Sequence, residues 1–172
     1  MKIMLSILIC LLAAYAQDTT YKDGSGCGGC DSLAKSSNNQ YTVETPYVAS
    51  KEQGVQKIYN QSGRLIMATP FVAGIAQGVQ KIYYESGTLE FETPYVAGKI
   101  QGIQKCYYGS GQLNMETPYV AGKIQGIQKV YFDDGTLAGK ATFDKGKLVG
   151  YIECTDGRKG NESLDCTIPA TK

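Results

Sequence analysis

The chain repeats itself every 24 residues, and this period limits what it can fold into more than any other feature. Pro46, Pro70, Pro94 and Pro118 are one period apart, as are Gly54, Gly78, Gly102 and Gly126. Gly63, Gly87, Gly111 and Gly135 keep the same step, and so do Lys57, Lys81, Lys105 and Lys129 and the tyrosines 59, 83, 107 and 131. The consensus unit reads ETPYVAGKIQGIQKVYYxSGxL. Its central part, TPYVAGKIQGIQK, occurs twice unchanged, over 93–105 and 117–129. A decayed copy follows, in which Phe143, Gly146 and Gly150 lie one period beyond Tyr119, Gly122 and Gly126.

Each unit carries two turn signals. One is the Ser-Gly or Asp-Gly step of 60–63, 84–87, 108–111 and 132–135, where glycine accepts a positive φ. The other is Ala97-Gly98-Lys99 and its equivalent at 121–123. Two turns per period predict two antiparallel strands per repeat. The fold class that follows is all-β, an elongated antiparallel β-meander of tandem 24-residue hairpins in one layer.

Alternation sorts the predicted strand faces. A two-residue hairpin would set Tyr108 opposite Leu113 and Cys106 opposite Met115. One face then carries Ile58, Ile82, Cys106 and Val130 with Tyr84, Tyr108 and Phe132, and is read as the core. The other carries Lys57, Lys81, Lys105 and Lys129, Tyr59, Tyr83, Tyr107 and Tyr131, and Glu92 and Glu116, and is the candidate binding face. Pro94 is expected to mark a strand bend or break. Gly102, in mid-strand, is expected to be covered by a neighbouring aromatic, Tyr95.

The segments Tyr95-Val-Ala-Gly98-Lys99-Ile-Gln-Gly102 and Lys81-Ile-Tyr83-Tyr84-Glu-Ser-Gly87-Thr-Leu89 resemble the variant MORN repeat, and the resemblance covers about residues 41–151. It implies a single-layer twisted β-meander and a non-catalytic role. Bacterial members often carry an antitoxin label, and eukaryotic relatives are linked to scaffolding, membrane-surface contact and dimer formation. An export signal and five cysteines beyond it depart from a cytosolic antitoxin.

Composition narrows the chemistry. The chain has no histidine, which removes Ser-His-Asp and Cys-His nucleophiles and every imidazole zinc site. Seventeen basic against 16 acidic residues leave no basic excess for nucleic acid. No cofactor and no metal site is expected. Cys27-Gly-Gly-Cys30 has the spacing of a thiol-disulfide motif. Its acidic flanks, Asp23 and Asp31, disfavour a reactive thiolate, so a structural disulfide is expected there. Cys154 and Cys166 flank a polar loop and are expected to pair, contributing roughly 3 kcal/mol by chain entropy. Cys106 occupies an apolar slot. Asn60 and Asn161 each begin a glycosylation sequon.

Lys2, the apolar run Ile3–Ala14 and Ala14-Tyr15-Ala16 read as a secretory leader cut after Ala16, placing the protein in a secreted or periplasmic compartment. The expected organisation is a leader (1–16), a Gly/Cys-rich segment (17–40), the repeat array (41–151) and a disulfide-capped tail (152–172). The function expected is a non-enzymatic interaction or scaffolding module with a protein partner. Alternatives are a membrane-surface or cell-wall glycan binder and a thiol-disulfide protein. Self-association into a homodimer is a further expectation, since a single layer leaves two faces and two edges to manage.

Overall fold

The computed structural model describes residues 19–20, 32–37, 41–160 and 166–167. The predicted leader, Cys27, Cys30 and Asn161 lie outside them. Every described element is a strand or a turn, so the chain is all-β and built of tandem antiparallel hairpins. It divides into two compact units, 1–75 and 76–172. In the first, Thr19–Thr20 pairs with Ser32–Ser37, which pairs with Tyr41–Val48; Gly54–Asn60 then pairs with both Tyr41–Val48 and Leu65–Val72. In the second, Gly78–Tyr83, Leu89–Val96, Gly102–Tyr107, Leu113–Val120, Gly126–Tyr131 and Leu137–Asp144 follow one another as a meander. Pairing continues past residue 151, through Ile152–Cys154 to Lys159–Gly160.

One repeat shows why its residues are needed. Leu89–Val96 turns back through Ala97 and Gly98 into the two-residue strand Lys99–Ile100. Ala97 (φ 50°) and Gly98 (φ 75°) are both left-handed, as a type I′ hairpin requires. Alanine resists that conformation by about 1 kcal/mol or more. The preceding repeat holds it there: the Ala97 N–H donates to Gln77 Oε1 (2.9 Å) and the Gly98 N–H to the Ala76 carbonyl (3.0 Å). The same glutamine brace joins Gln53 to Ala73, Gln101 to Ala121 and Gln125 to Lys145.

The repeat's second strand is not continuous, which corrects the two-strand reading. Ile100 pairs with Tyr95, yet Lys105 pairs with Glu92, so Gln101 and Gly102 are two extra residues bulged from the ladder. Gly102 adopts φ 109°, and a Cβ there would meet Pro94 Cγ at 3.3 Å. Pro94 therefore does not break its own strand. Its carbonyl accepts from the Gln101 N–H (3.0 Å), and its ring lies over the bulged glycine. The expected cover by Tyr95 is also corrected: Tyr95 stands opposite Gly78, and Gly102 opposite Tyr119.

The Ser-Gly turn has three loop residues, not two. The Gly111 N–H donates to the Tyr108 carbonyl and the Tyr108 N–H to the Gln112 carbonyl, both at 2.9 Å, with Gly111 at φ 90°. Cys106 faces Met115 as expected, but Tyr107, rather than Tyr108, faces Leu113, because Asn114 is an extra bulged residue.

With one layer per unit, the core face is only partly covered. Ile58 and Met67 are buried in the first unit, but Ile82, Cys106 and Met115 are half-buried in the second. The best-buried groups of the regular repeats are polar: Thr93 is 3% exposed and Thr117 2%. Gln104 and Gln128 donate their side-chain amides to these two hydroxyls at 2.9 and 3.0 Å, and Gln56 does the same to Thr45. A satisfied Gln–Thr pair lets polar groups sit where aliphatic ones would be expected.

Candidate functional site

Alternation along Gly102–Tyr107 puts Ile103, Lys105 and Tyr107 on the face opposite Gln104 and Cys106. Cross-strand register extends each of them into a stripe. Ile103 faces Pro118 and Val79 faces Pro94, which makes a Val/Ile–Pro stripe. Beside it runs a charge ladder: Lys81 faces Glu92, Glu92 faces Lys105, Lys105 faces Glu116 and Glu116 faces Lys129. The third stripe is tyrosine. Tyr107 donates to Glu92 Oε2 and Tyr131 to Glu116 Oε2, each at 2.9 Å, and in the first unit Tyr59 donates to Glu44 (3.2 Å).

The structure thus brings most of the sequence-selected face together within the second unit, but in a different balance. Here the lysines do not form a bare cationic track, because Glu92 stands between Lys81 and Lys105 and Glu116 between Lys105 and Lys129. The Lys81–Glu92 pair is 3.8 Å apart and half in water, so it contributes little. The first unit repeats the motif once, with Lys57 facing Glu44 and Ala68. Tyr83 faces Leu89 across its hairpin.

Titration of the face is displaced from neutrality. Burial, then the hydrogen bond to Glu92, then the charges of Glu92 and Glu116 push the Tyr107 hydroxyl up to about 12. Burial and Glu116 raise Tyr131 in the same direction. On the opposite face, burial and the charge of Glu90 push the Cys106 thiol up to about 11.

Sequence reasoning missed the apolar stripe. Val79, Ile103 and Ile127 are 46, 52 and 51% exposed, and Val96 and Val120 are similarly exposed two residues beyond the prolines. The 24-residue recurrence of a β-branched residue just after each bulged glycine was the available signal.

Past Gly126–Tyr131 the stripes change. The slot of Glu92 and Glu116 holds Lys140, which faces Lys129 on one side and Glu153 on the other. Lys140 and Lys159 both approach the Glu153 carboxylate, at 3.3 and 3.6 Å, and hold it below the usual glutamate range, with Lys140 the larger influence. The proline slot holds Thr142, facing Ile127. The Ile103 slot of the next strand holds Tyr151, whose hydroxyl accepts from Lys159 Nζ at 2.8 Å. No side chain lies within 4 Å of where a Gly150 Cβ would be, whereas prolines crowd Gly102 and Gly126. A shallow depression of about 250 Å³ opens there, between Ile127, Lys140, Thr142 and Tyr151.

At the same end, Cys154 and Cys166 form a disulfide. It is buried with Ala138 against Phe132 and Ile152. Gly139, which occupies the slot of Met115, makes room for it: a Cβ there would fall 2.5 Å from Cys166 Sγ. Among the described residues no cluster of metal-ligating side chains occurs. In the Asn60 turn, the side-chain oxygen of Asn60 accepts from the Ser62 and Arg64 N–H groups at 3.1 and 3.0 Å.

Three consecutive segments, 76–97, 100–121 and 124–145, match the family model described as MORN repeat variant. No curated protein matches the sequence. Each matched segment begins in a short strand and ends on the first residue of the next left-handed turn, so it spans one Gln-Gly bulge and one three-residue hairpin and reaches the braced turn. Residues 76–145 are therefore three tandem MORN repeats of the variant type.

Proposed function

We propose that this protein is an exported, non-catalytic binding module that presents the Val/Ile–Pro stripe and the adjoining Lys–Glu ladder to a partner protein. The observation that carries this reading is the exposure of Val79, Ile103 and Ile127, one per repeat and in register. Single exposed aliphatics are ordinary, but a contiguous apolar row rimmed by charge is what interaction surfaces have. MORN repeats are commonly protein- or membrane-interaction modules, which agrees with it. Alternation of glutamate with lysine disfavours tracking of a polyanion, so a protein partner is preferred to a membrane or wall polymer. The titratable groups support a role without catalysis: Cys106 and Tyr107 are pushed away from neutrality, not toward it. Export rests on the leader-like sequence of residues 1–16.

The test is affinity capture from envelope and secreted fractions, with wild-type chain beside an Ile103→Asp/Ile127→Asp variant. Both side chains stand half in water, so the variant should fold. A protein held by wild type and released by the variant is the expected result. Equal capture by both, or retention only on lipid vesicles, would sink the proposal.

A further inference from the structure

The charge ladder of the second unit alternates in sign from strand to strand, from Lys81 through Glu92, Lys105 and Glu116 to Lys129. Its central members are not used up within the chain. Lys105 and Glu116 stand directly opposite one another, yet they form no ion pair. Glu116 instead accepts through Oε2 from the Tyr131 hydroxyl at 2.9 Å. Among the described residues no side-chain or backbone group engages the ammonium of Lys105 or Lys129, or Glu116 Oε1. Beside the ladder lie the half-exposed Val79, Ile103 and Ile127 with their prolines. Beyond that stripe come Val96 and Val120, which alternation puts on the same face.

A partner surface of a single charge sign would gain against half of this ladder and lose against the other half. A fit needs alternating charges at the strand spacing of about 4.8 Å, beside an apolar row running in the same direction. A second copy of the same face has these features by construction. Turned about a two-fold axis parallel to the strands, between Gly102–Tyr107 and Leu113–Val120, it reverses the ladder and keeps each stripe over its own kind. Lys105 then meets Glu116 of the second copy, and Glu92 meets its Lys129, each contact occurring on both sides of the axis. The outer pair, Lys81 against Lys140, is like-charged, but each has its own carboxylate, Glu92 at 3.8 Å and Glu153 at 3.3 Å. Moving the axis one strand gap toward the terminal row would set Lys105 against Lys140 and Glu92 against Glu153. Like charges thus limit slippage on that side.

We infer that the occupant of this face is a second copy of the chain, held sheet on sheet about the two-fold described. Aligned sheets pack about 10 Å apart, within the combined reach of lysine and glutamate side chains from the two layers. The Val/Ile–Pro stripes meet and supply the affinity. The ladder lies along their edge, toward the three-residue hairpins, where it sets orientation and register. This inference rests on the binding-face reading above and names the partner of that face.

Sedimentation equilibrium of the purified full chain, over about 1–200 μM, is the test. The wild type should be a dimer that dissociates on dilution. Lys105→Glu and Glu116→Lys each set like charges across the two-fold and should weaken the dimer by about tenfold or more. An equimolar mixture of the two variants should restore it, because each supplies the charge the other needs, a recovery that misfolded variants would not give. A monomer at every concentration, a dimer indifferent to both reversals, or no recovery on mixing would overturn the proposal. A monomeric chain that still captures another protein in the experiment above, and loses it with Ile103→Asp/Ile127→Asp, would remove self-pairing and leave the binding face standing. Failure of both tests would remove the face itself.

Discussion

The regular repeats between Leu89 and Tyr131 and the terminal one from Leu137 to Gly160 solve the same problem by different chemistry. In the regular rows, one layer of strands has little apolar surface to bury, and its best-covered groups are Thr93 and Thr117 with their glutamine partners. In the terminal row both partners change together. The threonine slot becomes Ala141 and the glutamine slot Ile152. Changing one alone would leave a buried polar group unmatched. The Met115 slot becomes Gly139, filled from outside by the Cys154–Cys166 bridge. A repeat gains cover from the neighbour that follows it. In the row from Leu137 to Gly160 that cover is covalent, supplied by the Cys154–Cys166 bridge.

The sharpest way to break this comparison is to remove the closure. Cys154→Ser with Cys166→Ser should destabilise the terminal row by about 3 kcal/mol, for a bridge whose cysteines are 12 residues apart. Hydrogen exchange should show protection lost first over 137–160, with 89–131 retained. Loss spread evenly over both regions would mean that the terminal row is not a separate solution.

A second test lies in the regular rows. Thr117→Val leaves the Gln128 amide without its acceptor and should cost about 1–2 kcal/mol in a denaturant midpoint. Adding Gln128→Ile reproduces the pairing style of the terminal row and should recover part of that loss. Strictly additive single effects would show the ladder to be uncoupled.

The smallest expected effect is on pH dependence. Tyr107 is raised from 10.0 to about 12 in the folded chain, so its neutral form is the one the fold favours. Its contribution is whole below pH 10 and is lost as pH rises toward about 12. Tyr107→Phe should flatten the stability profile in that window and leave it unchanged near neutrality, as followed by thermal melts. An unchanged alkaline limb would show the Glu92 bond to be absent in solution.

Much of the fold was legible because the period is written in glycine and proline, whose backbone demands are local. Cys106 opposite Met115, the charged face and the Cys154–Cys166 pair follow from alternation and spacing alone. The bulges did not. Gln101–Gly102 and Asn114 are register defects set by hydrogen bonds from neighbouring strands, and no local rule requires Pro94 to cover a glycine eight residues ahead. The Gln–Thr core was hidden for a related reason: both residues look like surface until their mutual hydrogen bond is seen. The depression over Gly150 was hidden because it is defined by the absence of a proline ring, visible only when the decayed copy is laid on the regular ones in three dimensions.

The glutamine brace has a direction. In every instance the acceptor is earlier in the chain than the left-handed turn it secures, by 20 residues: Gln53 before Ala73, Gln77 before Ala97, Gln101 before Ala121, Gln125 before Lys145. A nascent chain leaving the ribosome therefore has each anchor made before the turn that needs it. Successive hairpins can be added to a template already in place, without waiting for distant sequence. Cys166 arrives after all of them and locks the finished end.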